Sequence, residues 1–519
     1  MKRMLCMLLT AVMLLALACP AVAEEAALRE RFVMVEGSEW WGLDVTQLDG
    51  SATAQGLIGD SLVTLDEQGN MLPCIASAVN VSEDGLTITM TISEGMYYAS
   101  GEQVEPEDVV ASLTRIQEIS PFGTQLACIE SMEVSGRDVI LHLSTFSSDL
   151  ATALAGSFVT IMDKAELDAK TDDELLWDCH PYGMYAIKEY VQGSHVTVVR
   201  NPGYVTYNPY VENKGAALIE EITVRFISEE FTAAQEANLG NVNYIVSISP
   251  NGASQITSEN MVVEQVAGTP QINYLEFNLD DPVTGDINVR KAIALAIDRE
   301  ALAEQCNGSI VPAYSFILES VLNHNAQWAE YYKANYCNNK EEAVRLLEES
   351  GWVDTDGDGI RDKDGQPLSI LFIASNIESP DTIVAQALQI QLMEIGVWLQ
   401  IDFHEDSYHY EVLEAGEFQM GLERFGWSEP VMLFQWAFCW PNNLEYAGGL
   451  DAYLALVDQI AKNPNAEERT ALVYECEKIL GENIIDVPLF DGTSIAVYGS
   501  DVVPPVYMEN GSVYFNDMK

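Results

Sequence analysis

Basic residues are scarce in this sequence. Lysine and arginine together number 25, against 80 aspartates and glutamates, which gives a formal net charge of −55 at pH 7. Nucleic acids and anionic membrane surfaces are bound through basic patches, so this imbalance argues against both as partners. A cationic ligand is compatible with it, although an acidic surface that keeps the protein soluble explains it more simply.

Cysteine is sparse as well, and no two cysteines form a C-x-x-C pair. Apart from Cys6 and Cys19 near the N-terminus, the cysteines are widely spaced: Cys74, Cys128, Cys179, Cys306, Cys337, Cys439 and Cys476. Such spacing predicts neither a dense disulfide framework nor a zinc site. Their odd number leaves at least one free thiol unless a cysteine pairs between chains.

Long apolar runs are confined to the N-terminus. Leu5–Ala18 follows Lys2 and Arg3 and precedes the small residues that end at Ala23. This order is typical of a secretory signal peptide, so we expect cleavage after residue 23 and an exported protein. An alternative cut lies before Cys19, in a sequence similar to a lipoprotein box, and would add a lipid anchor. No later stretch is long enough to cross a bilayer.

A phosphate-binding loop is also lacking, so we do not expect the chain to hydrolyse ATP. A length of 519 residues with 48% apolar and 9% aromatic residues indicates a soluble globular protein. That length predicts about two to four domains.

The most informative stretch runs from residue 271 to residue 302. Polar and apolar residues alternate from Tyr274 to Asn278, which predicts a strand. Beyond Gly285, apolar residues recur at three- and four-residue spacings, which predicts a helix capped by Asp286 or Asn288. Periodicity alone would leave the later Asp298 and Arg299 of this stretch in solvent.

Other stretches repeat the change between the two periods. Leu86 to Ile92 alternates as a strand, and Pro106 can open the helix that follows. Residues 339–351 and 382–394 read as helices, and 397–403 reads as a strand after the second of them. Strands that alternate with helices indicate an α/β protein.

Several motifs, in this order along the chain, resemble the extracellular solute-binding proteins of family 5, which serve oligopeptide and dipeptide transporters. The helix motif VR-x-A-x-x-x-A-I-D-R is matched by Val289, Arg290, Ala292, Ala296, Ile297, Asp298 and Arg299. The other matches are Ser82–Thr87 with Gly95, Gly101, Asp108 and Val109; Arg200–Tyr204; and Gly351–Gly365. Two departures are Ser93, where the family has a basic residue, and Pro181–Tyr185, which lacks a glycine and a proline of the family pattern.

The resemblance implies an α/β fold with two lobes, the periplasmic-binding-protein type II or Venus-flytrap fold, in its large three-subdomain form (cluster C). The expected division is a signal peptide at 1–23; a main subdomain of lobe I from 24–70, 186–272 and 485–519; an extra subdomain of lobe I at 71–185; and lobe II at 273–484.

The resemblance also places candidate ligand-binding residues at the cleft between the lobes. Trp40 and Trp41, in the loop after the first predicted strand, can offer aromatic walls, or one can be buried while the other caps the core. Further candidates are Asn278, Phe425, Trp427, Ser428 and Glu429. In the family, an acidic residue near Glu429 often neutralises a ligand ammonium group; the alternative is a solvated Glu429 and a core Trp427.

Two motifs point to other chemistry. Asp354, Asp356 and Asp358, with Asp362 as an extra ligand, fit part of a calcium loop, but Gly365 stands where a bidentate glutamate is needed. Residues 59–62 spell GDSL, a serine esterase block, and Asp406-Ser407-Tyr408-His409 spells its Asp-x-x-His partner motif. Short matches in a long chain are weak evidence, and we interpret the esterase motifs as coincidence.

The resemblance therefore predicts a binding protein of an ABC importer, without enzymatic activity and without a cofactor. It would hold peptides in the cleft and deliver them to the transmembrane permease subunits. It would act as a monomer, located in the periplasm or at the extracellular face of the cell membrane. The alternatives are the same fold with a sugar, metal or haem ligand, a sensor or adhesion protein, and a secreted esterase.

Overall fold

Two large β-sheets, each in a separate lobe, organise the computed structural model. It describes residues 29–375, 379–438 and 450–519. The predicted signal peptide and Cys19 lie outside the described residues, as do Cys439 and the side chain of Asp406. Within the described ranges, no helix is both long and apolar enough to cross a membrane.

The first sheet belongs to lobe I and has seven strands. Its order is Met261–Val266, Ser494–Gly499, Tyr244–Ile248, Arg29–Glu36, Ile219–Phe226, His195–Arg200 and Tyr185–Val191. The central strand, Arg29–Glu36, runs parallel to both neighbours. Ligand sites of open α/β sheets lie beyond the carboxyl ends of such strands, and the loops that leave Glu36, Phe226 and Ile248 face that edge.

A four-stranded antiparallel sheet forms the extra subdomain of lobe I. Its order is Ala78–Val81, Thr87–Thr91, Asp138–Leu143 and Ile129–Ser135. Thr87–Thr91 confirms the predicted strand, since Ile88 and Met90 are buried while the threonines between them are half-exposed. The predicted helix spans Pro106–Ile119, with proline in its first turn.

The second sheet belongs to lobe II and has six strands. Its order is Ile310–Pro312, Asp486–Gly492, Gln271–Phe277, Met420–Gly426, Ser369–Ser375 and Trp398–His404. Gln271–Phe277 confirms the strand predicted near Tyr274. Two of its polar residues, Asn273 and Glu276, are buried, whereas Gln271 at its start is half-buried.

The sheets correct one predicted boundary. We expected the chain to return to lobe I at residue 485, but Asp486–Gly492 pairs with Gln271–Phe277 in the sheet of lobe II. The return occurs at Thr493, immediately before Ser494–Gly499 joins the first sheet. Both pieces are buried apolar strands, so the sequence pattern does not show where one sheet ends and the other begins.

Helices cover both large sheets. The α-helices are Pro106–Ile119, Ser148–Ala155, Lys164–Ala169, Asp172–Leu175, Glu230–Asn238, Pro250–Ala253, Ile287–Ala296, Arg299–Gln305, Ala326–Tyr336, Lys340–Glu349, Ser379–Met393, Asp406–Ala415, Pro430–Met432, Leu450–Lys462 and Ala466–Asn483. A π-helix spans Leu433–Ala437, and 3₁₀ turns span Val45–Gln47, Thr53–Leu57 and Gly123–Leu126. Three small hairpins pair Val63–Leu65 with Met71–Pro73, Asp362–Lys363 with Gln366–Pro367, and Val506–Tyr507 with Val513–Tyr514.

The two arginines of the VR-x-A-x-x-x-A-I-D-R motif form hydrogen bonds that join distant segments of lobe II. Arg290 donates to the backbone carbonyls of Thr284, Asn483 and Ile484, and Arg299 donates to that of Pro488. Arg299 is 1% exposed, so the interpretation that it is solvated is wrong. Buried guanidinium groups require several hydrogen-bond acceptors. Most of them are backbone carbonyls at residues 483–488, around the start of strand Asp486–Gly492.

A buried glutamate on a lobe II helix gives stability an unusual pH dependence. Glu477, on Ala466–Asn483, accepts hydrogen bonds from the N–H groups of Phe316 and Ile317 at 3.0 and 3.2 Å and from the Ser315 hydroxyl. Burial raises the pKa of Glu477 to about 8. The folded protein thus holds a proton that the unfolded chain releases, so this group stabilises the fold at low pH and loses that effect as pH rises.

We expect a Glu477→Gln variant to flatten this dependence. The free energy of unfolding of the unmodified protein should fall between about pH 5 and about pH 8, with a slope of up to about 1.4 kcal/mol per pH unit from this group. Denaturant unfolding of both proteins at the two pH values measures the difference. If the free energy of unfolding depends on pH equally in the two proteins, Glu477 is not a source of the pH dependence.

Candidate functional site

A cavity of about 400 Å³ lies between the two lobes. Lobe I lines it with the loops at 45–65, with the end of helix Ser148–Ala155 and the residues that follow it, and with the C-terminal segment 510–516. Lobe II contributes Gly426, Trp427 and Ser428, which leave the end of strand Met420–Gly426. We call this cavity the inner chamber. Because both lobes line it, its shape depends on how they approach each other.

Three aromatic rings form one wall of the inner chamber. The ring centroids of Phe122 and Phe158, both in lobe I, are 4.9 Å apart, and those of Phe122 and Trp427 are 5.2 Å apart. Trp427 packs against the cores of both lobes. Aromatic rings provide a large contact area at low entropic cost, so this wall suits an organic ligand.

Two buried polar groups at the inner chamber have no hydrogen-bond partner among the described residues: the Thr152 hydroxyl and the Trp427 indole N–H. Thr152 lies on Ser148–Ala155 in lobe I and is 7% exposed. Buried polar groups are almost always paired in native proteins. Both atoms are enclosed by the surrounding protein, so neither faces the open space of the inner chamber.

A carboxylate lies in the wall of the inner chamber. Asp60 accepts hydrogen bonds from the Ser61 N–H at 3.0 Å, from the Cys74 thiol at 3.2 Å and from the Tyr204 hydroxyl. Asn516 supports Tyr204 with a bond of 3.1 Å to its hydroxyl oxygen. Burial raises the pKa of Asp60, and all three of its donors are neutral groups.

A second cavity, of about 710 Å³, adjoins the first. The crossings between the lobes, at 267–269 and 492–494, line it, so we call it the hinge chamber. Glu229, Glu230 and Phe231 form part of its lobe I wall, where Glu230 accepts a bond of 2.7 Å from the Ser249 N–H. Residues that line both chambers are Thr53, Thr269, Gly511 and Val513. The cleft is thus divided into two chambers by residues that include the C-terminal hairpin.

Only part of the predicted site reaches this cleft. Trp427 and Ser428 line the inner chamber, whereas Phe425 packs against the core of lobe II. Trp40 is 1% exposed, and its indole N–H donates to Glu36 at 2.7 Å, so it is a core residue.

Trp41 and Asn278 also lie away from the two chambers. Trp41 is 66% exposed and lines neither cavity. The Asn278 amide donates to the carbonyls of Gly416 and Phe418 at 3.1 and 3.0 Å, which joins the end of its strand to the neighbouring loop. We therefore leave Trp40, Trp41 and Asn278 out of the site proposed below, together with Phe425.

Glu429 caps a helix and does not line either chamber. Its carboxylate is 2% exposed and accepts bonds from the N–H groups of Val431 and Met432 at 2.8 and 3.3 Å. Ser148 of lobe I donates to the same carboxylate at 3.3 Å. Burial, with the nearby Asp149, raises the pKa of Glu429 to about 8. This geometry places Glu429 in the contact between the lobes.

The calcium prediction is left untested by the hairpin geometry. Carboxylate oxygens of Asp354, Asp356 and Asp362 lie within 4.8 Å of one another, whereas Asp358 is outside this group. Asp354 accepts from backbone N–H groups of the hairpin at 2.7 and 3.1 Å, and Asp362 accepts from Thr355 at 2.9 Å. These bonds shape the tight turn without an ion.

The esterase motifs are not brought together. The Ser61 hydroxyl donates to the Val63 carbonyl at 2.9 Å in lobe I. His409 bonds to Glu423 at 2.7 Å in lobe II. A serine nucleophile needs an imidazole within hydrogen-bonding reach, and among the described residues no histidine lines either chamber.

The inner-chamber residues that sequence reasoning missed include Asp60, Phe122, Thr152 and Phe158. Asp60 was visible only as part of the esterase motif. Phe122 follows a proline in the loop after helix Pro106–Ile119. An aromatic residue in such a loop is the one feature of the sequence that could have marked Phe122 as a site residue. Nothing in the local pattern of Thr152 distinguishes it from other threonines on helices.

The comparisons with known proteins agree with this architecture. A family model, "Bacterial extracellular solute-binding proteins, family 5 Middle", matches residues 70–443. The oligopeptide-binding protein AppA of Bacillus subtilis (strain 168) is 24% identical and covers 73% of this chain and 70% of its own. The glutathione-binding protein GsiB of Salmonella typhimurium is 23% identical and covers 97% of both.

Solved structures confirm the fold class predicted from the sequence. NikA from Brucella suis, in complex with Fe(III)-EDTA, superposes with a TM-score of 0.81 at 22% identity over 94% of this chain and 99% of that one. AppA from Bacillus subtilis, in complex with a nonapeptide, gives 0.73 at 18% identity over 95% and 99%. The chain belongs to the bacterial extracellular solute-binding proteins of family 5, the substrate-binding components of ABC transporters.

Proposed function

We propose that this protein binds peptides in the cleft between its lobes and delivers them, chemically unchanged, to an ABC permease. The observation that carries the proposal is the inner chamber itself, a cavity of about 400 Å³ that both lobes line and that Phe122, Phe158 and Trp427 bound with an aromatic wall. A peptide can pack its side chains against this wall. AppA, a relative that binds oligopeptides, supports the same ligand class.

The contact across the cleft supports capture by closure. Trp427 of lobe II meets Phe122 of lobe I, Glu429 accepts from Ser148, and helix Leu450–Lys462 packs against helix Ser148–Ala155. A ligand that contacts both lobes stabilises the arrangement in which they meet. In the proposed cycle, the exported protein works as a monomer outside the cytoplasmic membrane, and the closed form docks on the permease.

The test is binding without turnover. The purified protein, freed of any retained ligand by unfolding and refolding, is incubated with a mixture of short peptides, and the complex is isolated by native mass spectrometry. We expect a bound peptide of unchanged mass and a stabilisation of about 2.7 kcal/mol at a peptide concentration of about 100 times Kd. A bound sugar or metal chelate, or a cleaved peptide, would contradict the proposal.

A further inference from the structure

The described part of the cleft contains no basic side chain. Among the described residues, no lysine, arginine or histidine lines the inner chamber or the hinge chamber. The internal segments outside the described residues, 376–378 and 439–449, contain none of these residue types in their sequence. A ligand carboxylate in this cleft therefore has no side-chain cation to pair with.

Carboxylates are present in both chambers. Asp49 and Asp60 line the inner chamber, and Glu229 and Glu230 line the hinge chamber. Asp60 has no ion-pair partner among the described residues, because its three hydrogen bonds come from a backbone N–H, a thiol and a phenol. A partly buried carboxylate without a cation is costly, and a cationic ligand group nearby lowers that cost.

Basic residues near the cleft are already paired. Arg424, close in sequence to Gly426, forms an ion pair of 2.9 Å with Asp381. Arg115 of the extra subdomain bridges Asp44 and Asp172 at 2.7 and 2.9 Å. These pairs leave the charge of the chamber walls negative.

We infer that the cleft selects ligands with a positive charge, so that peptides bearing lysine or arginine bind more tightly than neutral or acidic peptides of the same length. The inference rests on the proposed function and narrows its substrate class. The aromatic wall of the inner chamber provides contact area for the ligand, and the chamber carboxylates provide the charge preference. Oppositely charged groups in a partly buried site attract each other more strongly than in bulk water, because the local dielectric constant is lower.

Isothermal titration with matched probes tests the inference. The peptides are Ala-Lys-Ala, Ala-Gln-Ala and Ala-Glu-Ala, and spermidine is a cation without a peptide bond. We expect Ala-Lys-Ala to bind at least about tenfold more tightly than Ala-Glu-Ala at low ionic strength, and the gap to narrow with added salt, since screening weakens charge interactions.

Variants locate the preference in the cleft. Asp60→Asn and Glu229→Gln should each reduce the ratio between the lysine and glutamate peptides, whereas Glu259→Gln, an exposed carboxylate that lines neither chamber, should leave it unchanged. The Asp60→Asn substitution can also disturb the hydrogen bonds that Asp60 accepts from Ser61, Cys74 and Tyr204. Glu229 is exposed, so Glu229→Gln tests the charge without that structural effect.

The outcomes separate this inference from the proposed function. Equal affinities, or tighter binding of Ala-Glu-Ala, would overturn the charge preference while leaving peptide binding in place. Binding of spermidine with no peptide bound would preserve the preference and refute the peptide proposal. If neither cationic probe binds, the inference fails.

Discussion

Replacement of Trp427 with alanine is expected to lower ligand affinity by about a hundredfold, or about 2.7 kcal/mol. Trp427 is the residue of lobe II that meets the aromatic wall of lobe I, and its ring lies 5.2 Å from that of Phe122. The substitution removes a ligand contact and a ring contact that favours closure. Isothermal titration with the best-bound peptide measures the loss.

Two further variants separate these contributions. Trp427→Phe keeps an aromatic ring against Phe122, so it should retain most of the affinity, with a loss of no more than about tenfold. Trp41→Ala is the matched control, because Trp41 is exposed and lines neither chamber. If Trp41→Ala weakens binding as much as Trp427→Ala does, the ligand lies elsewhere.

The largest effect on stability is expected from Gly183→Ala. A Cβ atom at Gly183 would lie 2.1 Å from the carbonyl oxygen of Ile58 and 2.3 Å from its carbonyl carbon. Both neighbours are backbone atoms, so the two segments must separate, at a cost of about 3 kcal/mol or more. Thermal and denaturant unfolding of lobe I measure that cost.

The same substitution should weaken ligand binding. The segment that would be displaced continues through Gly59 into Asp60, whose N–H donates to the Tyr182 carbonyl at 3.1 Å. Gly37→Ala is the control, since a Cβ there meets no atom within 4 Å, and its stability should stay within about 0.5 kcal/mol of the unmodified protein. A Gly183→Ala variant as stable as this control would show that the loop at Ile58 can move freely.

The fold was more accessible from sequence than the site. The helix that starts at Ile287 was predicted from its own spacing and its cap, Asp286, whose side chain accepts from the Asn288 N–H at 2.9 Å. Such signals lie within one element. The return to lobe I was placed too early because the strands before and after Thr493 are equally apolar.

The site was missed where it depends on contacts between distant segments. Phe122, Thr152 and Trp427 become neighbours of one cavity only because the lobes meet. Trp40 and Trp41 show that a residue type can be informative while its burial is not predictable. Their aromatic character was clear, but only the structure shows that the first enters the core and the second faces solvent, since neighbouring side chains in an irregular loop have no fixed period.

The position of Ser494–Gly499 inside the first sheet constrains the order in which the two lobes can fold. This strand lies between Met261–Val266 and Tyr244–Ile248, yet it follows the whole of lobe II in the chain. Lobe II is contiguous from Gln271 to Gly492 and can fold as soon as its own residues are available. Lobe I keeps an open sheet edge until the last part of the chain arrives, which makes it the lobe more exposed to aggregation and proteolysis before folding is complete.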